Sequence, residues 1–137
     1  MDFSFEIEGG DFTNAGQASS QIKKILKQLN VNVKIIRKTV IALYEAEVNV
    51  VAHAYKGVIT ANINPEKINI KIQDEGPGIE NIDMAMTKGF STASQKVREM
   101  GFGAGMGLPN IKANTNELNV SSVLGKGTLV EFTNYLI

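Results

Sequence analysis

The 137-residue sequence contains no cysteine, so it can form neither a disulfide nor a thiolate metal site. That absence fits a reducing compartment, and cytoplasmic residence is the expectation. No apolar run is long enough to cross a bilayer, so a membrane is not an expected partner. The opening MDFSFEIEGG is acidic and lacks the basic segment of a secretory leader. Neither sign of charge is in excess, with 14 Lys and Arg against 14 Asp and Glu. A net-neutral chain without a recognisable recognition helix argues against direct nucleic-acid binding. There is no internal repeat and no low-complexity segment. Hydrophobic residues at 43% suffice for one core, and the length suits a single domain, 1–137.

What is present reads as strand, two helices, two strands, a loop-rich stretch, a helix and two strands. Residues 2–8 alternate Phe3, Phe5 and Ile7 with polar neighbours, a strand pattern. Thr13 or Asn14 is a candidate cap for a helix to about Leu29, with Ile22, Ile25, Leu26 and Leu29 on one face. The longest helix is expected from about Asn32 to Ala54, broken by Lys56-Gly57. Strands are expected at 58–63 and 67–74, joined as a hairpin at Asn64-Pro65. A short helical turn fits 82–86, a helix 107–115, and two last strands 117–123 and 127–135 around Leu124-Gly125-Lys126. Strands joined by short turns predict an α+β fold, a two-layer sandwich of a mixed, mostly antiparallel sheet with helices on one face. Ile68, Ile70 and Ile72 share a side, and Asp74 has their parity, so a carboxylate points toward the helices at a strand end. Thr128 has the inward parity of Val130 and Phe132.

Three polar constellations stand out. In EAEVNVVAHA (45–54), Glu45, Asn49 and His53 lie at i, i+4, i+8 on one helical stripe. An amide oxygen is a hard neutral ligand suited to Mg²⁺, and a carboxylate one turn away can orient a hydroxyl and accept its proton. A solvated stripe shared with Lys34, Lys38 and Lys56 is the bland alternative, and His53 reads as structural. Glu47, on the side of this helix away from Asn49, is expected at the surface or an interface. In DEGPGI (74–79), Asp74 precedes Gly76 and Gly78, which permit a sharp turn beside an inward carboxylate able to accept from an adenine amine. An ordinary Asx turn is the alternative there. In GFGAGMGLPNIK (101–112), Gly101, Gly103, Gly105 and Gly107 leave backbone N–H groups unshielded before a helix starts at Leu108, which suits phosphate. A flexible loop has the same composition. No parallel strand feeds this stretch, and no Gly-Lys-Ser/Thr follows, so it is neither a Rossmann nor a Walker loop.

The order of these motifs, followed by GKGTLVEF with its inward Thr128, resembles the GHKL, or Bergerat-fold, ATP-binding family. The likeness spans nearly the whole chain. It implies Asp74 as the acceptor of the adenine amine, with Thr128 assisting, and Asn49 as the Mg²⁺ ligand. It implies Glu45 as general base, and Gly76, Gly78, Gly101, Gly103, Gly105, Gly107 and Leu108 around the nucleotide. Of the basic residues near the phosphate loop, Lys88, Lys96 and Arg98, Arg98 is the first choice for the γ-phosphate; solvated lid charges are the alternative.

Within the family, gyrase-like members carry a transducer domain and histidine kinases a dimerisation helix pair, and neither is expected here. A short domain with one strand and one helix before its Glu/Asn motif resembles the anti-sigma-factor serine/threonine kinases. That resemblance implies ATP and Mg²⁺ as cofactors and a STAS-domain antagonist as protein substrate. Some members also hold a sigma factor as homodimers. The glycine-rich loop 89–107 is longer than the simplest such pattern, which puts a sigma-factor partner in question. Two other functions remain open: a non-catalytic ATP/ADP-gated binding switch, and a detached ATP-binding half of a histidine kinase system.

Overall fold

The computed structural model describes residues 1–86 and 107–137. Its elements are β1 (Asp2–Glu8), α1 (Gln17–Gln28), α2 (Val33–His53), β2 (Lys56–Ile63), β3 (Lys67–Glu75), α3 (Ile82–Ala85), α4 (Gly107–Ala113), β4 (Glu117–Val123) and β5 (Gly127–Tyr135). The strands form one sheet in the order β1-β2-β3-β5-β4. All four pairings among the described residues are antiparallel, the dominant pairing expected of the mixed, mostly antiparallel sheet. The α+β sandwich is the architecture that the strand parities predict.

Alternation decides which face is covered. Ile59, Ala61 and Ile63 of β2, Ile68, Ile70 and Ile72 of β3, and Val130 and Phe132 of β5 are buried. They meet Ile22 and Leu26 of α1, Leu43 and Val50 of α2, and Ile111 of α4 in one core. The turn between β2 and β3 is closed by Asn64, whose Oδ1 accepts from the backbone N–H groups of Glu66 and Lys67 at 2.8 and 2.9 Å. The β2 strand begins at Lys56, two residues earlier than its apolar alternation suggests, because Lys56 and Gly57 pair with Glu75 and Asp74.

Both ends of α2 follow local signals. Asn32 caps it, with Oδ1 accepting from Lys34 N–H at 2.8 Å, and Ala54 closes it. The start of α1 does not. Thr13 and Asn14 lie in a short 3₁₀ turn, and the helix begins at Gln17 after Gly16, which supplies no side-chain cap. The cap comes from Glu47 of α2. One carboxylate oxygen accepts from Gly16 N–H (3.0 Å) and Ala18 N–H (3.2 Å). The other accepts from Ser19 N–H (3.1 Å) and the Ser19 hydroxyl (2.7 Å). Glu47, expected at the surface or an interface, is therefore buried between α1 and α2, at 2% exposure. The unpaired N–H groups of the first turn of α1, with the positive end of its dipole, replace the water the carboxylate loses.

Asn134, buried at the end of β5, ties the helical layer to the sheet. Its Nδ2 donates to Thr39 Oγ1 of α2 (3.0 Å) and to the Asn114 carbonyl just beyond α4 (3.1 Å). Its Oδ1 accepts from Asn116 N–H at 2.9 Å. The end of α4 is thus fixed against α2. Among the described residues no helix is long and apolar enough to cross a membrane.

Candidate functional site

The base end of the site is built from strand ends. Asp74 is the last inward residue of β3, and its Oδ1 accepts from Thr128 N–H at 3.0 Å. Burial raises the Asp74 pKa, and the Thr128 N–H bond partly offsets this. Thr128 is buried at the start of β5, paired with Ser122 across the β4–β5 ladder. The 74–79 turn is clamped from both sides. Tyr55 N–H donates to the Glu75 carbonyl (2.8 Å), Gly76 N–H to the Lys126 carbonyl (3.0 Å), and Gly125 N–H to the Pro77 carbonyl (2.9 Å). Gly78 has φ +80°, and a Cβ there would stand 2.7 Å from the Val123 carbonyl oxygen, so the turn requires glycine.

The other end is built from α2 and α4. Glu45 and Asn49 are both half-buried. Gly107, the first residue of α4, packs so closely on Asn49 that a Cβ would lie 2.8 Å from both its amide nitrogen and oxygen. One turn along α4, Asn110 Nδ2 donates to Glu45 Oε1 at 3.3 Å. Burial raises the Glu45 pKa, and the Asn110 bond partly offsets it. Leu108 and Ile111 are buried and hold α4 in place. A Cβ on Gly76 would come within 2.9 Å of Ala54 Cα, so the Asp74 turn meets α2 five residues beyond Asn49. That separation is roughly 7–8 Å along the helix axis. His53 is half-buried, and burial lowers its pKa.

Glu45, Asn49, Asp74, Gly76, Gly78, Gly107, Leu108 and Thr128 therefore surround the C-terminal half of α2 and the adjoining strand ends. Gly101, Gly103, Gly105 and Arg98, with Lys88 and Lys96, lie outside the described residues. Three contributors were given no part in the site by the sequence. Asn110 lies one turn past the last glycine, Ser122 opposes Thr128 in register, and Glu47 anchors α1 to the helix that carries Glu45 and Asn49. Only Ser122 had a legible signal, a hydroxyl with the inward parity of Leu118 and Val120.

The arrangement suits a nucleotide. A carboxylate and a hydroxyl at the sheet end can read a base edge. An amide and a carboxylate one helical turn apart can serve a metal and a proton. Among the described residues no group of three or more His, Asp or Glu could hold a metal, so a bound cation would draw most ligands from phosphates and water. That donor set fits Mg²⁺, which keeps waters and substrate phosphates beside one or two protein oxygens.

Comparison with known proteins agrees. The anti-sigma F factor of Thermoanaerobacter sp. (strain X514) is 37% identical over 128 residues, 90% of this chain and 86% of that protein. The serine/threonine-protein kinase RsbT of Bacillus subtilis (strain 168) is 30% identical over 118 residues, 83% of each. Two solved structures share the fold. The structure of the RsbU and RsbW domains of Rv1364c from Mycobacterium tuberculosis matches with TM-score 0.65 and 18% identity, over 98% of this chain and 32% of that one. The present chain thus spans about a third of that solved chain. The mycobacterial sensor histidine kinase MprB matches with TM-score 0.57 and 14% identity, over 98% of this chain and 97% of that one. The model of the histidine kinase-like ATPase domain matches residues 11–133. The chain belongs to that family, the GHKL group its ordered motifs resemble.

Proposed function

We propose that residues 1–137 form one ATP-dependent serine/threonine protein kinase domain of the anti-sigma-factor type. Its substrate on this reading is a STAS-domain antagonist in a cytoplasmic partner-switching system, with a sigma factor and a second copy of the chain as further partners. The observation that carries the reading is Glu45 one turn from Asn49 on α2, with α4 touching both. A switch that only bound nucleotide would not need the carboxylate.

Asp74 accepts from the adenine amine, with Thr128 beside it. Gly76 and Gly78 let the backbone turn at the base, and Gly101, Gly103, Gly105, Gly107 and Leu108 approach the phosphates. Asn49 would hold Mg²⁺, which would supply neutralisation of phosphate charge. Arg98 is the basic residue assigned to the γ-phosphate by its place in the sequence beside the glycine motif. Glu45 orients the hydroxyl of the partner's serine and accepts its proton as the oxygen bonds to the γ-phosphorus and the bond to the β–γ bridging oxygen breaks. The products are phosphoserine and ADP. Asn110, on Glu45 Oε1, leaves the other carboxylate oxygen for the incoming hydroxyl.

The test uses γ-labelled ATP, Mg²⁺ and the STAS-domain proteins of the same genome. The expected result is acid-stable label on a STAS serine with the wild-type chain. Glu45→Ala should abolish transfer while retaining ATP affinity. Transfer that survives in Glu45→Ala removes Glu45 as base. ATP binding without transfer to any of these proteins favours a nucleotide-gated binding module, and acid-labile label favours a histidine acceptor.

A further inference from the structure

The hydroxyl of Ser122 meets three groups at once. Ile79 N–H donates to its Oγ at 2.7 Å. The Gly127 carbonyl oxygen lies 3.1 Å from Oγ, and Thr128 Oγ1 lies 2.9 Å from it. A serine hydroxyl has one proton and two lone pairs. The carbonyl can only accept, so that contact takes the Ser122 proton. The Ile79 N–H takes one lone pair. The Thr128 contact is then a hydrogen bond only if Thr128 donates its own proton to the second lone pair. The opposite assignment, with Ser122 donating to Thr128, gives up the Gly127 bond beside a buried backbone. The arrangement that satisfies all three contacts therefore turns the Thr128 proton away from the site and leaves its lone pairs facing outward.

Asp74 contributes in the same sense. Its Oδ1 is engaged by Thr128 N–H, and among the described residues Oδ2 carries no hydrogen bond. Carboxylate and hydroxyl together then offer acceptors and no donor.

We propose that Ser122 is a specificity-positioning residue: by holding the Thr128 hydroxyl as an acceptor, it makes the site select 6-amino purines over 6-oxo purines. The inference rests on the nucleotide reading above. An exocyclic amine supplies hydrogens to both acceptors. The oxo group of hypoxanthine or guanine presents lone pairs where the amine presents hydrogens, and the single N1–H beside it can meet only one of the two acceptors, so at least one oxygen is left facing a lone pair. Ser122 touches no base itself; it acts through Thr128, and its anchoring of Ile79 explains why the hydroxyl cannot turn freely.

The test is calorimetric titration of the full chain with Mg·ATP and Mg·ITP, comparing wild type with Ser122→Ala, Ser122→Thr and Thr128→Val. The readout is the ratio of ATP to ITP affinity, which a general loosening of the site would leave unmoved. The wild type should prefer ATP by roughly a hundredfold. Ser122→Ala frees the Thr128 proton to donate to the oxo group, and the ratio should fall about tenfold. Ser122→Thr retains the hydroxyl and should keep the wild-type ratio. Thr128→Val removes the acceptor and should also lower the ratio, whereas a donor at this position would make the same substitution raise it. An unchanged ratio in folded Ser122→Ala, or a raised ratio in Thr128→Val, overturns the proposal. Should Ser122→Ala fail to fold, Thr128→Val decides alone. A wild type that binds ATP with no such response refutes only the role of Ser122; a wild type that binds no ATP refutes the nucleotide reading itself.

Discussion

Replacing Glu47 should cost more stability than any other single polar substitution on α2. Its carboxylate accepts four hydrogen bonds, from Gly16, Ala18 and Ser19 N–H and the Ser19 hydroxyl. Alanine leaves three backbone donors and a hydroxyl without this acceptor, each worth about 1–3 kcal/mol when buried and unpaired. The charge also loses its favourable place at a helix N-terminus, worth about 0.3–2 kcal/mol. Against this stand water entering the vacated space and relief of the cost of burying a charge. The net loss should be about 3 kcal/mol, a large share of the roughly 5–15 kcal/mol that holds a domain together.

Urea unfolding followed by circular dichroism measures this directly. With a slope of about 1–3 kcal/mol per molar, the midpoint should fall by about 1–3 M at unchanged slope. Glu47→Gln separates the carboxylate from its shape. The amide oxygen still accepts on one side, but its NH₂ opposes donors on the other, so about half the loss should return. A midpoint for Glu47→Ala within about 0.3 M of wild type would refute the reasoning. So would a glutamine variant less stable than the alanine one.

Two further substitutions separate stability from function. Gly107→Ala places a Cβ 2.8 Å from both amide atoms of Asn49, which must swing aside, while alanine gains up to about 1 kcal/mol of helix propensity. Its thermal midpoint should hold while Mg²⁺-dependent ATP affinity falls about tenfold or more, and retained affinity would remove Asn49 from the metal. Burial raises the Asp74 pKa in the folded chain, so the folded state takes up a proton at higher pH than the unfolded one, and this group's contribution to stability rises as pH falls through that window. Asp74→Asn should therefore leave stability at pH 7 equal or slightly higher yet weaken ATP binding. Wild-type affinity should fall on acidification from above the usual aspartate range, and a pH-independent affinity over pH 4–7 would contradict this assignment.

Much of this architecture is legible because its signals are local. β4 and β5 occur over the residues that period-two alternation and the Leu124-Gly125-Lys126 turn predict. The ends of α2 follow from Asn32 and the break expected at Lys56-Gly57, with Ala54 closing the helix. The inward aim of Asp74 follows from parity with three isoleucines. The cap of α1 was not legible, because its acceptor lies 28–31 residues further along the chain. A glutamate on a helix reads as solvated until another helix is known to point its open N–H groups at it. Asn110 and Ser122 fail for a related reason. Each matters through a partner fixed by packing or strand register, and a single sequence displays neither.

The two layers divide the proposed work. Asp74, Thr128 and Ser122 stand on paired strands, where ladder hydrogen bonds fix side-chain direction and a base edge can be read by rigid acceptors. Glu45 and Asn49 stand on α2, and their settings depend on how α4 lies against it through Gly107 and Asn110. A shift of the Gly107 end of α4 would reach both side chains through one short helix. Its far end is held by Asn134 to α2 and β5, which confines such a shift to the Gly107 end. Substitutions on the strands should then change how the base is read, whereas substitutions between α2 and α4 should change how metal and phosphates are held and whether bound nucleotide is used. A chain built this way can alter its partner chemistry through α2 and α4 without losing its choice of base.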